Sequence, residues 1–386
     1  MTERLSADEL VALVKRVFDP GPDDHRLAIL VDLPDERTPD SPAWAERREM
    51  AGEWARLLAD RCGELGLKGA SLLLYRNVRT NNADLPPTAR AHDPAQPLPA
   101  VFEEPLPCAV PFDTVFETHG IFLAPTQFSA TAPLKVAAGV HGFRAATMPG
   151  FCAAMIPALR LDYGVIGSRV AALKKLLDSA ERACLRFEAL GRSMRLELDL
   201  RHRSAHESSG VFTEPGAAGN LPSGEAYIVP YEGEIDGDPS RSEGELPVEF
   251  GSEIVVYKVR ENMAVEVLTS GLASTREAGK LATEPAYGNL AELGLGVLGD
   301  FGIEPMGEIL LDEKLGLHIA FGRSDHFGGR VGSASFKSPE RVVHIDRVYT
   351  PSLQPRIRIA EVRLVMPDGK IVPLMKDGAY TVPFDA

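Results

Sequence analysis

The chain lacks most of the features that mark secreted, membrane-spanning or nucleic-acid-binding proteins. Only four cysteines occur in 386 residues. None of them forms a C-x-x-C pair, so neither a disulfide scaffold nor a thiolate metal site is predicted. No apolar run approaches the roughly 18 residues of a membrane span, and residues 1–6 lack the apolar core of a signal peptide. We therefore expect a protein of the reduced cytoplasm.

An excess of positive charge is also absent. The sequence has 55 acidic against 41 basic residues and a formal net charge of −14. This balance argues against nucleic acid or an anionic membrane surface as the main partner. A hydrophobic fraction of 44% and a charged fraction of 25% are ordinary for a globular protein. The length corresponds to about two domains.

The first half of the chain alternates between helical and strand-like patterns. Residues 6–18 are amphipathic, with Ser6 as a helix N-cap and Glu9 completing a capping box. Residues 26–33 form an apolar run ended by Pro34, which is typical of a buried parallel strand. Further strands are predicted at residues 71–75, 120–124 and 145–148, and helices at 43–65 and 166–190. This order predicts an α/β fold, with an N-terminal α/β layered domain around a mostly parallel sheet.

The second half changes to strand periodicity. Residues 194–200 alternate strictly, and residues 253–259 and 263–268 resemble a hairpin. Residues 359–366 and 370–375 flank a Pro-Asp-Gly turn. Residues 232–250 are polar and rich in Gly, Pro and Ser, and are predicted to be a surface loop. We place a boundary near residue 192, so that domain 1–192 is followed by a β-rich α+β domain at 193–386.

Candidate metal ligands concentrate in this β-rich half. His344 and Asp346 lie two apart on a predicted strand, so both side chains project from one face and could chelate a cation. His318 begins a second apolar run, followed by glycines that would let a loop approach a ligand. Glu225 follows a turn, and Glu292 stands alone in an apolar, glycine-rich stretch. A buried lone carboxylate is costly, and a metal cation would satisfy it.

Structural explanations exist for each residue taken singly. His344 and Asp346 could be a surface pair, and His318 a core histidine. Glu225 and Glu292 could each form a salt bridge. Asp325 and His326 are expected in a loop, and residues 312–314 in a solvated turn.

Taken together, these segments resemble the aminopeptidase T family of metal-dependent aminopeptidases. The resemblance covers roughly residues 110–352, and its most specific match is GNLPSGE at residues 219–225. Residues 145–151, 161–163, 291–296, 309–314, 318–322 and 343–346 follow in the family's order. The resemblance implies a hydrolase that cleaves the N-terminal residue from a peptide, or that cleaves a small amide. It also implies a homodimer.

The resemblance also implies a pair of divalent ions, zinc, cobalt or manganese. The implied protein ligands are Glu225, Glu292, His318, His344 and Asp346, and Glu225 is the expected general base or bridging ligand. The family's tyrosine ligand has no counterpart, because its position is Asp325. Asp325, His326 or a water would replace it.

Two other functions remain open. The same superfamily contains ring-opening dioxygenases of dihydroxypyridines, in which two histidines and an aspartate hold one Fe(II). His344 and Asp346 would be shared with those enzymes. In them, however, a histidine occupies the position of Glu292, and the counterparts of Glu225 and His318 are lost, so the hydrolase is favoured. The third possibility is a biosynthetic paralogue that keeps the metal ligands but acts on a different small metabolite.

Overall fold

The computed structural model describes residues 3–103 and 108–384. Two compact units are present, each built from two chain segments: Met1–Gly167 with Gly210–Ser223, and Ser168–Ser209 with Gly224–Ala386. The division into domains 1–192 and 193–386, with its single boundary, stays a prediction.

The helices of the described residues are α1 (Ala7–Phe18), α2 (Pro42–Arg61), α3 (Phe112–Thr118), α4 (Thr131–His141), α5 (Ile156–Leu159), α6 (Tyr163–Ser179), α7 (Leu272–Thr283) and α8 (Ile309–Asp312). The first begins as predicted. The Ser6 side chain accepts a hydrogen bond from the Glu9 amide, and the Glu9 carboxylate accepts one from the Ser6 amide. This reciprocal pair satisfies two amides at the helix start that have no partner within the helix. None of these helices is long and apolar enough to cross a membrane.

The first unit contains a seven-stranded sheet. Its strands are β1 (Arg26–Leu33), β2 (Gly69–Arg76), β3 (Thr88–His92), β4 (Ala109–Pro111), β5 (Ile121–Ala124), β6 (Arg144–Thr147) and β10 (Ala218–Asn220). Their order is β10-β6-β5-β1-β2-β3-β4, and β10 through β2 run parallel. Seven of the eight residues of β1 are buried, as expected of a strand covered on both faces. The predicted α/β fold with a mostly parallel sheet is confirmed.

The second unit is built from two antiparallel sheets. The larger one has the order β14-β13-β12-β8-β7-β18-β19-β20. Its strands are β7 (Arg182–Ala189), β8 (Arg192–Asp199), β12 (Glu243–Phe250), β13 (Glu253–Arg260), β14 (Met263–Val267), β18 (Arg358–Val365), β19 (Ile371–Lys376) and β20 (Ala379–Tyr380). Both predicted hairpins are present, as β13–β14 and β18–β19.

The smaller sheet has the order β17-β16-β15-β11-β9. Its strands are β9 (His206–Ser208), β11 (Glu225–Ile228), β15 (Leu290–Gly296), β16 (Leu317–Gly322) and β17 (His344–Val348). Neighbouring strands pair antiparallel throughout. This sheet carries the five acidic and histidine residues singled out for their strand or turn positions.

Two sequence predictions about local structure are wrong. The predicted helix at 166–190 ends at Ser179 and is followed by β7, whose alternating burial matches its neighbours in the sheet. The helical spacing of apolar residues changes there to the alternation of a strand, and no proline marks the change in the sequence. The predicted surface loop at 232–250 ends in β12, which pairs with β8 and β13. The strand is hard to recognise in the sequence because it contains Pro247, and proline within a run argues against a strand.

Candidate metal centre

One face of the smaller sheet gathers five of the predicted site residues: Glu225 in β11, Glu292 in β15, His318 in β16, and His344 with Asp346 in β17. The strand register explains why. Glu292 pairs with Ala320, which pairs with Asp346, so this row crosses three strands. Because residues directly opposite in a sheet share a face, both carboxylates project to the same side.

Small residues between the candidate ligands leave room above this face. A Cβ added to Gly294 would lie 1.9 Å from His318 Nε2, and one added to Gly296 would lie 2.2 Å from the carbonyl carbon of Lys314. Gly294 is the cross-strand partner of His318. The imidazole therefore lies over the neighbouring strand, in a space that any side chain would fill.

Two groups of possible ligands share one carboxylate. Glu225, Glu292 and His318 form the first, and Glu292, His344 and Asp346 form the second. Glu292 Oε1 lies 3.1 Å from His318 Nε2, whereas Glu292 Oε2 lies 3.4 Å from His344 Nε2. Each oxygen of Glu292 thus faces one group, so this carboxylate could contribute a ligand atom to a cation in either of them.

Both imidazoles are oriented by backbone carbonyls. His344 Nδ1 lies 2.8 Å from the Arg323 carbonyl oxygen, and His318 Nδ1 lies 3.3 Å from that of Gly316. Donation from Nδ1 leaves Nε2 turned to the carboxylates, as in metal-ligating histidines. Burial lowers the pKa of His318, but Glu292 and Glu225 outweigh it and hold that pKa at about 9. The same negative potential attracts a metal cation.

Among the buried oxygens without a hydrogen-bond partner in the described part of the chain, two belong to this centre: Glu225 Oε2 and Asp346 Oδ1. They lie 3.6 Å from His318 Nε2 and 3.5 Å from His344 Nε2 respectively. A buried carboxylate oxygen without a donor is costly, and a cation would remove that cost. Imidazole nitrogen and carboxylate oxygen suit zinc, cobalt, manganese and iron. The side chains therefore fit a divalent metal in either group.

Lys314 is a residue of this centre that sequence reasoning missed. It was expected in a solvated turn, but its side chain is 2% exposed. Its ammonium donates to Glu225 Oε1 at 2.5 Å and also to the carboxylate of Glu313. Gly296 allows the backbone of Lys314 to lie against β15. In the sequence, three successive charged residues at 312–314 stand between two apolar stretches. This pattern fits an exposed turn and a buried turn equally well.

Asp325 and His326 lie in the predicted loop, a short 3-10 turn after β16. Neither belongs to a group of three possible ligands within the described part of the chain. Asp325 is held by Arg323 at 2.5 Å. The ring of His326 lies 5.3 Å from that of His344, edge to face. Burial and His344 lower the pKa of His326 to about 4, so that imidazole is neutral at pH 7.

A buried carboxylate outside the centre anchors this loop. Glu232 Oε1 accepts hydrogen bonds from Ser324 Oγ at 2.5 Å and Asn289 Nδ2 at 2.7 Å, and Glu232 Oε2 accepts one from the Arg330 amide at 2.5 Å. Charge-assisted bonds of this kind are stronger than neutral ones. The loop is therefore attached at both ends, which fixes Phe327 beside the ring of His344.

A cavity of about 230 Å³ lies beside Asp346, which is the one candidate ligand among its lining residues. Val248, Ile309, Val348 and Leu353 supply its apolar lining, while Glu249, Asp312 and Gln354 are among its polar residues. The strand that bears Asp346 forms the edge of the sheet. A small apolar group could therefore lie next to a candidate ligand.

Comparison with known proteins supports the fold. No protein-family model and no curated protein sequence matches the chain. Among solved structures, 2,5-dihydroxypyridine dioxygenase from Pseudomonas putida KT2440 is similar, with a TM-score of 0.59 and 14% identity over 98% of this chain and 99% of that one. AmpT, the aminopeptidase T of Thermus thermophilus, has a TM-score of 0.53 and 16% identity over 97% and 99%.

Both of these solved structures are of enzymes. One is named as a dioxygenase and the other as an aminopeptidase.

Proposed function

We propose that the chain is a metal-dependent aminopeptidase-like hydrolase that cleaves an N-terminal residue or a small amide. The observation that carries this proposal is Glu292, whose two oxygens face two separate groups of ligands. One ion would bind Glu225, Glu292 and His318. The second would bind Glu292, His344 and Asp346. Zinc, cobalt or manganese would suit both positions.

Such a pair of cations, when bound, lowers the pKa of a water and polarises the carbonyl that the water attacks. The charges of the chain support two cations. The centre brings together four carboxyl groups, one ammonium and two imidazoles, those of Glu225, Glu292, Glu313, Asp346, Lys314, His318 and His344. Cations bound in the two ligand groups would replace protons on the imidazoles and offset the charge of the buried carboxylates.

The Lys314 ammonium binds one oxygen of Glu225 and one oxygen of Glu313. This leaves Glu225 Oε2 for the centre, where it would bind the first ion or accept the proton of the attacking water and pass it to the leaving nitrogen. Burial raises the pKa of Glu313 to about 8, although Lys314 opposes the rise, so Glu313 holds its own proton at pH 7 and is not the base.

The cavity beside Asp346 would receive the first side chain of the substrate. Its apolar residues favour leucine or a residue of similar size. The carboxylates of the centre would attract the free amino group of a peptide. A biosynthetic enzyme that acts on a small amide would use the same residues. We also propose a homodimer, which the sequence resemblance implies.

The second candidate is a dioxygenase, favoured by the similarity to 2,5-dihydroxypyridine dioxygenase. His344 and Asp346 could serve in a mononuclear iron site. The first group of ligands would then have no role, which is why we favour the hydrolase.

Release of leucine from a leucyl chromogenic amide tests the proposal. We expect turnover by protein loaded with zinc, cobalt or manganese, and none by Glu292→Gln. Asp368→Asn is the control, because Asp368 lies in the exposed turn between β18 and β19 and outside both ligand groups. If a broad panel of peptides and amides gives no turnover while two ions bind, the aminopeptidase assignment fails.

A further inference from the structure

Tyr227 projects into the centre from β11, although sequence reasoning did not select it. It lies two residues after Glu225 on the same strand, so the two side chains share a face. Its cross-strand partner is Gly294, which in turn pairs with His318. Glycine has no side chain to separate its neighbours. The phenol of Tyr227 therefore adjoins the space between Glu225 and His318.

The ring of Tyr227 is fixed by its aromatic neighbours. It stacks on His206, with ring centroids 5.3 Å apart and an interplanar angle of 23°, and it meets Phe327 edge-on at 4.9 Å. His206 is itself held by the Phe327 carbonyl oxygen at 3.0 Å. Tyr227 is only 9% exposed. A ring held on two sides in this way loses little further freedom when a substrate binds.

The Tyr227 side chain lies close enough to Glu292 and Glu225 for both carboxylates to act on it electrostatically. A tyrosine hydroxyl has one hydrogen to donate.

We propose that Tyr227 is a catalytic residue whose hydroxyl donates a hydrogen bond to the substrate carbonyl oxygen as that oxygen becomes negatively charged. This inference rests on the proposed hydrolase function. The water oxygen forms a bond to the carbonyl carbon, and the π electrons move to the carbonyl oxygen. On collapse the C–N bond breaks, and the leaving nitrogen takes the proton that the base removed from water. The phenol keeps its own proton throughout.

Tyr227→Phe is the appropriate variant, because it removes one oxygen and leaves the ring contacts with His206 and Phe327. A donor of this kind typically contributes about 100-fold to 1000-fold to turnover. We expect kcat on a leucyl amide to fall by about 100-fold with little change in KM. The metal content should equal that of the unmodified protein. Tyr257→Phe is the control, since the Tyr257 hydroxyl donates to Glu277 at 2.9 Å rather than to the centre.

Calorimetry supplies a readout that does not depend on turnover. A phosphinic dipeptide analogue mimics the tetrahedral state, whereas leucine mimics the product. Tyr227→Phe should lower the affinity for the analogue by about the same factor as it lowers kcat, and it should leave the affinity for leucine unchanged. If Tyr227 had only a structural role, the variant would lower the affinity for both ligands or for neither.

Two results would overturn the proposal for Tyr227 alone. The first is an active protein in which Tyr227→Phe retains the original kcat and analogue affinity. The second is a phenolate-to-copper absorption band in copper-substituted protein that disappears in Tyr227→Phe, because Tyr227 would then be a ligand. If the unmodified protein binds two ions but neither hydrolyses amides nor binds the analogue, the proposed function fails and this inference fails with it.

Discussion

Replacing Gly294 by alanine should displace His318 from the centre. The added Cβ would lie 1.9 Å from His318 Nε2 and 2.0 Å from Cε1, whereas ordinary carbon contacts are about 3.5–4.0 Å. The imidazole would have to move by roughly 1.5 Å or more. His318 is fully buried in the central part of a sheet, so the backbone offers little relief. Overpacking of this kind costs about 1–3 kcal/mol in the free energy of unfolding.

Urea denaturation of the metal-free protein measures this cost, and elemental analysis of the loaded protein measures the loss of the ion that we propose His318 binds. Gly279→Ala is the matched control. A Cβ at Gly279 meets nothing within 4 Å, and helix propensity should make that variant neutral or more stable by about 0.5–1 kcal/mol. In a His318→Ala background, Gly294→Ala should cost almost nothing. If Gly294→Ala keeps two ions and unaltered stability, the placement of His318 over Gly294 is wrong.

Three further predictions follow from the same contacts. Glu292→Gln should lose both ions while Glu225→Gln loses one, which elemental analysis can measure; equal losses would contradict the bridging role of Glu292. Lys314→Met should destabilise the metal-free protein by about 3–5 kcal/mol, because Glu225 and Glu313 lose their buried cation; an unchanged urea midpoint would contradict the burial of Lys314. Burial raises the pKa of Asp32 to about 6, although the Gln127 and Phe128 amides oppose the rise. The folded state therefore holds the proton more tightly than the unfolded state, and the stability that this proton contributes is present at low pH and lost as pH rises from about 4 to 6. Relative to Asp32→Asn, the free energy of unfolding should fall by on the order of 3 kcal/mol over that range; a flat difference would place Asp32 in contact with solvent.

Much of the fold follows from patterns that are local in sequence. The capping box of α1 and the apolar run of β1 were predicted correctly, because each is specified by a few adjacent residues. The boundary between α6 and β7 was not, since a helix and a strand follow each other with only two residues between them. Such transitions depend on partners far away in sequence, and β7 is a strand because β8 and β18 flank it.

The centre was predictable only where residue type and spacing carried the signal. His344 and Asp346 share a strand, so their common face follows from the period of two. The proximity of Glu225 to Lys314 depends on sheet register between distant segments, which spacing does not encode. Tyr227 follows Glu225 by two residues and resembles any core aromatic until the glycine opposite it is known. The polar neighbours of Glu232 predict an exposed side chain, whereas its carboxylate is buried.

The metal content of protein purified without added metal tests the central claim most directly. Glu292, shared by two ligand groups, predicts two divalent ions per chain, drawn from zinc, cobalt and manganese. The same analysis on Glu292→Gln should find neither ion. A single iron per chain that survives loss of Glu225 would contradict the account and favour oxygenase chemistry at His344 and Asp346.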